Sequence, residues 1–274
     1  MTEVEYNFTR DLIFKLTLQE VPEAAIELAK KFIPNMENLV YNPETFSVDN
    51  PINMGGIDIK STEFDFKFSL SNEKSFEYEM QNHKVPYDLK SRILKYYSDL
   101  MSACFKKGEG YNHKKCYTIW FLENNLFDDN KSIRTFYLKD EDNNKLYDYA
   151  SITIVEFAKI SEEDYNKDVW KRLFITNDMD SLKGVDEIMD KVVNKILDYN
   201  SDQAIREQLR AEEEWQRGYN SAVAASKEEG KLEGIAEGKA EANKATAKKM
   251  KEKGYSNNEI AELTGLSLEE ISKL

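Results

Sequence analysis

Two stretches that alternate apolar and polar residues at a strict period of two constrain this chain more than any other feature. From Glu63 to Leu70, Phe64, Phe66, Phe68 and Leu70 alternate with Glu63, Asp65, Lys67 and Ser69. From Ser75 to Asn82, Phe76, Tyr78 and Met80 alternate with Glu77, Glu79 and Gln81. Successive side chains of a strand point to opposite faces, so each stretch reads as a strand with one apolar and one polar face. The apolar sides share a face if the strands form a hairpin, and a loop covering Ser71 to Ser75 places Leu70 opposite Phe76. In that register Asp65 faces Gln81, with Glu79 as its diagonal neighbour at roughly 5–8 Å, a separation over which two side chains can share one ion.

The rest of the chain supplies helices and further strands. Thr9 to Lys31 has a mostly helical period through Leu12, Ile13, Leu16, Ile26, Leu28 and Ala29, with a break or new start at Pro22. Tyr87 to Lys106 carries Leu89, Ile93, Tyr96, Tyr97, Leu100 and Met101 at helical spacing, and the glycines of the GEGY stretch at 108–111 stop it. Tyr96 and Tyr97 belong to that apolar stripe and are expected to pack in the core. Cys116 to Leu122, Ile133 to Leu138 and Ile152 to Phe157 are β-rich, and helices resume near Glu162 to Phe174 and Val185 to Tyr199. Strands with flanking helices imply an α/β domain built on a mixed sheet.

Beyond about Asp202 the composition shifts to Glu, Lys, Ala, Gln and Arg, and Gly230, Gly234 and Gly238 recur at a spacing of four. Such a run reads as a solvated helix weakened by its glycines, or as a helix that uses small residues to approach another copy of the chain. The last 20 residues contain two capping boxes, Ser256 to Glu259 and Ser267 to Glu270, around Thr264-Gly265. Two short helices about a glycine turn resemble a helix-turn-helix, but Glu269 and Glu270 stand where a recognition helix would meet phosphates, so a small helical cap is the preferred reading. The expected division is a sheet domain over 1–201, a charged helical linker over 202–248 and a helical cap over 249–274.

Several classes are excluded or disfavoured. The longest apolar run, near Cys116 to Leu122, is too short for a membrane helix in a chain with 32% charged residues. The first 15 residues lack the basic and apolar stretches of a secretory signal. Cys104 and Cys116 are the two cysteines, and His83 and His113 the two histidines, so neither a disulfide framework nor a zinc site is indicated and a reducing cytoplasm is the expected location. A net charge of −13 weighs against binding a polyanion, although Lys84, Lys90, Arg92, Lys95, Lys106, Lys107, Lys114 and Lys115 gather just after the hairpin.

Hydrolysis of a phosphodiester uses a hard divalent cation, and Asp65 and Glu79 supply two carboxylates to hold it, with the Met80 carbonyl as a further oxygen. Gln81 shares their face and could orient a water or a phosphate, but it brings no positive charge; Arg92 or Lys84 could. If Gln81 faces the phosphate, a Gln81→Lys change is expected to preserve or raise activity. Taken alone, the pattern is more often that of a solvated sheet face.

The ordered motifs resemble the bacterial recombination-promoting nucleases and transposases of the PD-(D/E)xK superfamily, over about Asp11 to Phe157. DLIFK at 11–15 is similar to the family's opening helix, FDFKFSLSNEKSFEYEMQ at 64–81 to its Asp strand, turn and Glu-x-Gln strand, and the segment from Arg92 to Leu122 to its Arg and paired-Tyr helix, glycine turn and next core strand. The Glu-Gly repeats and the IAELTGLS stretch at 260–267 also resemble the family's tail. One departure is the turn at Ser71 to Lys74, where the family often has glycine and Asn72 is expected to take the left-handed conformation. The resemblance implies a restriction-endonuclease-like mixed sheet and a magnesium-dependent DNA endonuclease, with manganese as a substitute, acting in recombination or mobile-element biology. It implies Asp65 and Glu79 as metal ligands, with Gln81 in place of the superfamily's lysine. Asp11 would bind a second metal or cap its helix, and Arg92 would clamp phosphate or pair with a sheet carboxylate. The competing expectation is a degenerate nuclease fold that binds DNA or protein and assembles through its helical tail.

Overall fold

The computed structural model describes residues 2–49, 66–71, 73–82, 88–104, 114–147 and 150–274. The chain divides into two units, Met1–Arg206 and Glu207–Leu274.

The first unit opens with α1 (Asp11–Glu20) and α2 (Pro22–Phe32), separated at Val21. Proline takes the first position of α2, where its missing N–H leaves no hydrogen bond unmade. A six-stranded sheet follows, made of β1 (Phe46–Val48), β2 (Phe66–Leu70), β3 (Lys74–Gln81), β4 (Lys115–Leu122), β5 (Ile133–Phe136) and β6 (Ala150–Glu156), in the spatial order β1-β2-β3-β4-β6-β5. β1, β2 and β3 form an antiparallel meander, β3, β4 and β6 run parallel, and β5 returns antiparallel to β6. Between the parallel strands β3 and β4 the chain passes through α3 (Leu89–Cys104).

The expected hairpin is present, but its register differs. Phe68 pairs with Phe76 and Leu70 with Lys74, so the pairing is displaced by two residues from the expected Leu70 opposite Phe76. The cause is a tighter turn: the Glu73 N–H donates to the Leu70 carbonyl at 2.9 Å, so Lys74 and Ser75 join the strand. Ser71 enters the turn at φ 50°, while Asn72, expected to be left-handed, lies outside the described residues. A displacement of two preserves which face each side chain occupies, so the division into apolar and polar faces holds.

The two faces have different partners. On one, Phe68 stacks on Phe76 at 4.7 Å, Phe121 packs against Phe14, Phe32 and Phe174, and the Tyr78 hydroxyl donates to the Ala25 carbonyl of α2 at 2.8 Å. On the other, Ile93 of α3 packs with Trp120, Leu122, Ile152 and Ile154, and Tyr96 and Tyr97 lie against that cluster as expected for core residues. Glu79 pairs in register with Trp120, and Gln81 with Leu122, so both belong to the face covered by α3.

Differences elsewhere are local. The helical period at 162–174 is two helices, α4 (Glu162–Lys167) and α5 (Val169–Leu173), because Asp168 accepts from the N–H groups of Trp170 and Lys171 and restarts the helix. α6 (Glu187–Ser201) starts at the cap Asp186. β5 ends at Phe136 rather than at Leu138.

In the second unit the chain continues α7 (Gln203–Glu252), then α8 (Asn257–Thr264) and α9 (Leu268–Ser272). Both capping boxes form as the sequence suggests, and Gly265 ends α8 at φ 69°, a left-handed conformation that glycine adopts without a Cβ clash. Ala247, Ile260 and Ile271 make a small apolar core. No helix among the described residues is long and apolar enough to cross a membrane.

Candidate active site

Alternation along β3 points Glu77, Glu79 and Gln81 at α3, and the first turn of α3 brings Arg92 to meet them. Arg92 Nη2 donates to Glu79 Oε1 at 2.5 Å and Nη1 donates to Gln81 Oε1 at 2.9 Å. The guanidinium also lies over the rings of Tyr96 at 5.0 Å and Trp120 at 5.7 Å. Arg92 thus pairs with a sheet carboxylate and its neighbouring amide at once, a use suited to a planar, forked cation.

Glu79 is 3% exposed, and its second oxygen, Oε2, is buried without a hydrogen-bond partner among the described residues. A buried carboxylate oxygen left in this way is costly unless a donor or a cation meets it, so Glu79 has the chemistry of a ligand with one open coordination direction. Asp65, the other expected ligand, lies outside the described residues, as does Lys84, the alternative source of positive charge. Among the described residues no three carboxylate, imidazole or thiolate groups converge as a metal cluster.

Asp11 is the first residue of α1, and Arg10 holds the cap position without a capping bond from its own side chain. A carboxylate in a first helical turn is still favoured by the helix dipole. The entry to α1 is tied to the end of β3 by the Asn82 amide, which donates to the Thr9 carbonyl at 3.0 Å.

Two residues with chemistry on this face were not singled out from the sequence. Lys67 on β2 stands directly opposite Glu77, with Nζ 3.8 Å from Glu77 Oε1. Their signal was already in the alternation, since both occupy polar positions flanking those chosen. Of the basic cluster, Lys95 is engaged by Asp99 at 2.8 Å, Lys90 lies 5.1 Å over the Phe127 ring, and Lys114 donates to Ser69 at 3.3 Å. A further buried carboxylate, Glu156, accepts from the N–H groups of Leu126 and Phe127 and pairs with Lys159 at 2.9 Å, which makes it a holder of the loop after β4.

Residues 49–226 match the family described as PD-(D/E)XK nuclease family transposase, more than half of the 274 residues. The chain belongs to this family. Neither the curated proteins nor the solved structures provide a match to it. Its mixed sheet flanked by helices is the PD-(D/E)XK architecture expected from the motifs. The match takes in the hairpin, α3 and the strands after it but begins after α1 and β1, so Asp11 falls outside it. PD-(D/E)XK nucleases generally use divalent metal ions, and Glu79 Oε2 is a suitable oxygen for one.

Proposed function

We propose that this chain is a metal-dependent endodeoxyribonuclease that hydrolyses phosphodiester bonds in DNA, in recombination or in the movement of mobile elements. Asp65 and Glu79 hold a magnesium ion, which manganese can replace, and the Met80 carbonyl is a further candidate oxygen. The bound ion supplies charge neutralisation at the phosphate and a more acidic water. The observation that carries this reading is the Glu79 carboxylate, buried on the sheet with Oε2 unpartnered among the described residues, in a member of a nuclease family.

The protein's own groups have separate tasks. Arg92 holds Oε1 of Glu79, which fixes the carboxylate with Oε2 presented to the ion. The same guanidinium holds Gln81, so the carboxamide is oriented for a water or a phosphate oxygen rather than free to rotate. The donors of Arg92 not used in these bonds supply positive charge to the phosphate, the contribution that lysine would make at the Gln81 position. Water attacks phosphorus, the bond to the leaving oxygen breaks, and a proton reaches that oxygen, with no covalent enzyme intermediate.

The test is cleavage of supercoiled plasmid and of single-stranded DNA at low salt, with magnesium, manganese or EDTA, by wild type and by Asp65→Ala. Metal-dependent cutting that the variant lacks is the expected result. Absence of cutting by folded wild-type protein under every condition would overturn the reading in favour of a fold retained for binding.

A further inference from the structure

Cys104 ends α3 and Cys116 lies near the start of β4, twelve positions later in sequence. The sequence indicates no disulfide, yet the fold brings the two sulfurs into direct contact. Both residues are buried, Cys104 at 5% exposure and Cys116 at 0%, in a cluster with Leu100 and flanked by Met101.

We propose that Cys104 and Cys116 are a reversible redox pair, and that their bond sets how firmly α3, and with it Arg92, is held on the sheet. Three observations carry this. The cysteines come from different elements and are the two that the chain possesses, so the pairing is produced by the docking of α3 on β4. The Cα atoms are 7.2 Å apart, and beyond about 7 Å a bridge requires backbone movement, so closing the bond draws the end of α3 towards β4. Cys116 Sγ is also 3.2 Å from the Lys114 carbonyl, an acceptor for the thiol proton once the bond is reduced. The reduced Cys116 therefore has a partner for its thiol.

α3 is anchored to the α3 face of the sheet at both ends. Near its start, Arg92 grips Glu79 and Gln81; at its end, Cys104 meets Cys116, which pairs in register with Ser75 on the same strand as Glu79. A helix fixed at one end pivots more freely than a helix fixed at two. The oxidised form therefore holds Arg92 over Glu79 more rigidly than the dithiol form does.

A peroxide is a sufficient oxidant. The Cys104 sulfur, the more exposed of the two, attacks a peroxide oxygen to give a sulfenic acid and release water from hydrogen peroxide. The Cys116 sulfur then attacks the Cys104 sulfur and displaces a second water, so two thiols and one peroxide give one disulfide and two waters. A small dithiol reverses the reaction by exchange through a mixed disulfide.

The experiment uses the full chain, oxidised with hydrogen peroxide or reduced with dithiothreitol. Denatured protein should show no free thiols after peroxide and two after dithiothreitol, and digestion without reductant should yield a peptide pair joined through Cys104 and Cys116. Amide exchange over α3 should be at least about tenfold slower in the oxidised form. Cys104→Ser and Cys116→Ser should both remove the difference between treatments. Two thiols that persist after peroxide, or a bond that forms with α3 exchange unchanged, would overturn the proposal. These readouts need neither DNA nor metal, so they stand apart from the nuclease reading; if that reading also holds, the manganese affinity of the oxidised and reduced forms should differ severalfold.

Discussion

The Arg92 guanidinium lies 2.5 Å from Glu79 Oε1 and covers one oxygen of a carboxylate whose other oxygen is buried and has no hydrogen-bond partner among the described residues. The pair is asymmetric: the Arg92 side chain is 34% exposed, whereas that of Glu79 is 4% exposed. Removing the cation therefore does more harm than the loss of one surface ion pair. Arg92→Ala should destabilise the first unit by about 1–3 kcal/mol, because the buried carboxylate loses its partner while water enters partly in its place. It should also lower single-turnover cleavage by about 10²–10³-fold. Arg92→Lys keeps the charge without the fork, and should recover stability better than rate. Urea unfolding and single-turnover kinetics on the same preparations separate the two effects.

The Arg92–Gln81 contact changes the expectation for Gln81→Lys. From sequence, a lysine there promises added charge at the phosphate, but in the fold it meets Arg92, which now donates to the Gln81 carbonyl oxygen at 2.9 Å. Lysine has no acceptor to offer and brings a like charge. Gln81→Lys alone should therefore reduce both stability and cutting, and Gln81→Lys with Arg92→Ala should recover part of the rate lost by either change. A double-mutant cycle in cleavage rate should show a coupling of about 0.5–3 kcal/mol; additive losses would mean that the two side chains act independently.

The alternation at Phe66–Leu70 and Phe76–Met80 was sufficient to read the strands and their faces, because a period of two is a direct consequence of extended backbone. Register was not legible to the same degree. Two hairpins displaced by two residues bury the same side chains, and only the turn hydrogen bond from Glu73 to Leu70 distinguishes them. β1 left no readable signal, since three residues, Phe46 to Val48, are too few to establish a period. Arg92 was legible as a cation near the site, but its partner depended on where α3 docks, which helical spacing within α3 cannot specify. The same applies to Cys104 and Cys116: no local pattern connects them, and they meet through the return of the chain into β4.

The two proposed ligands should separate metal binding from folding. Glu79→Gln keeps the shape and removes the charge that an ion requires, and Asp65→Asn does the same at the other proposed position. Each should weaken manganese binding by on the order of tenfold or more, measured by titration calorimetry, and abolish cutting at saturating magnesium. Retained affinity in both variants would place the ion elsewhere.

Acid should release the caps of α8 and α9. Hydrogen bonds from the Ser256 hydroxyl and backbone hold Glu259 below its ordinary value of 4.5, and those from Ser267 do the same for Glu270. A depressed carboxylate contributes stability that is fully present above the unfolded value and disappears as pH falls through the lower folded value. Exchange protection of the α8 and α9 amides should therefore be constant above about pH 5 and decline below 4.5. Ser256→Ala should weaken the cap at neutral pH, by about 1 kcal/mol, and flatten the acid response of α8. An acid response unchanged in Ser256→Ala would assign it to other groups.

Gly230, Gly234 and Gly238 lie within α7, and a Cβ placed on any of them meets nothing within 4 Å. Each glycine weakens a helix by about 0.8–1 kcal/mol relative to alanine, through backbone freedom in the unfolded chain. A triple change to alanine should thus raise the helicity and the melting temperature of the tail without altering DNA cutting. The same change tests the other use of small residues, close approach of a second copy, because three methyl groups on one face would push two backbones apart. Circular dichroism and sedimentation of wild type and variant distinguish these cases. A stiffer helix at unchanged mass is the expected result, and a fall in mass would show that the glycines form a contact between copies of the chain.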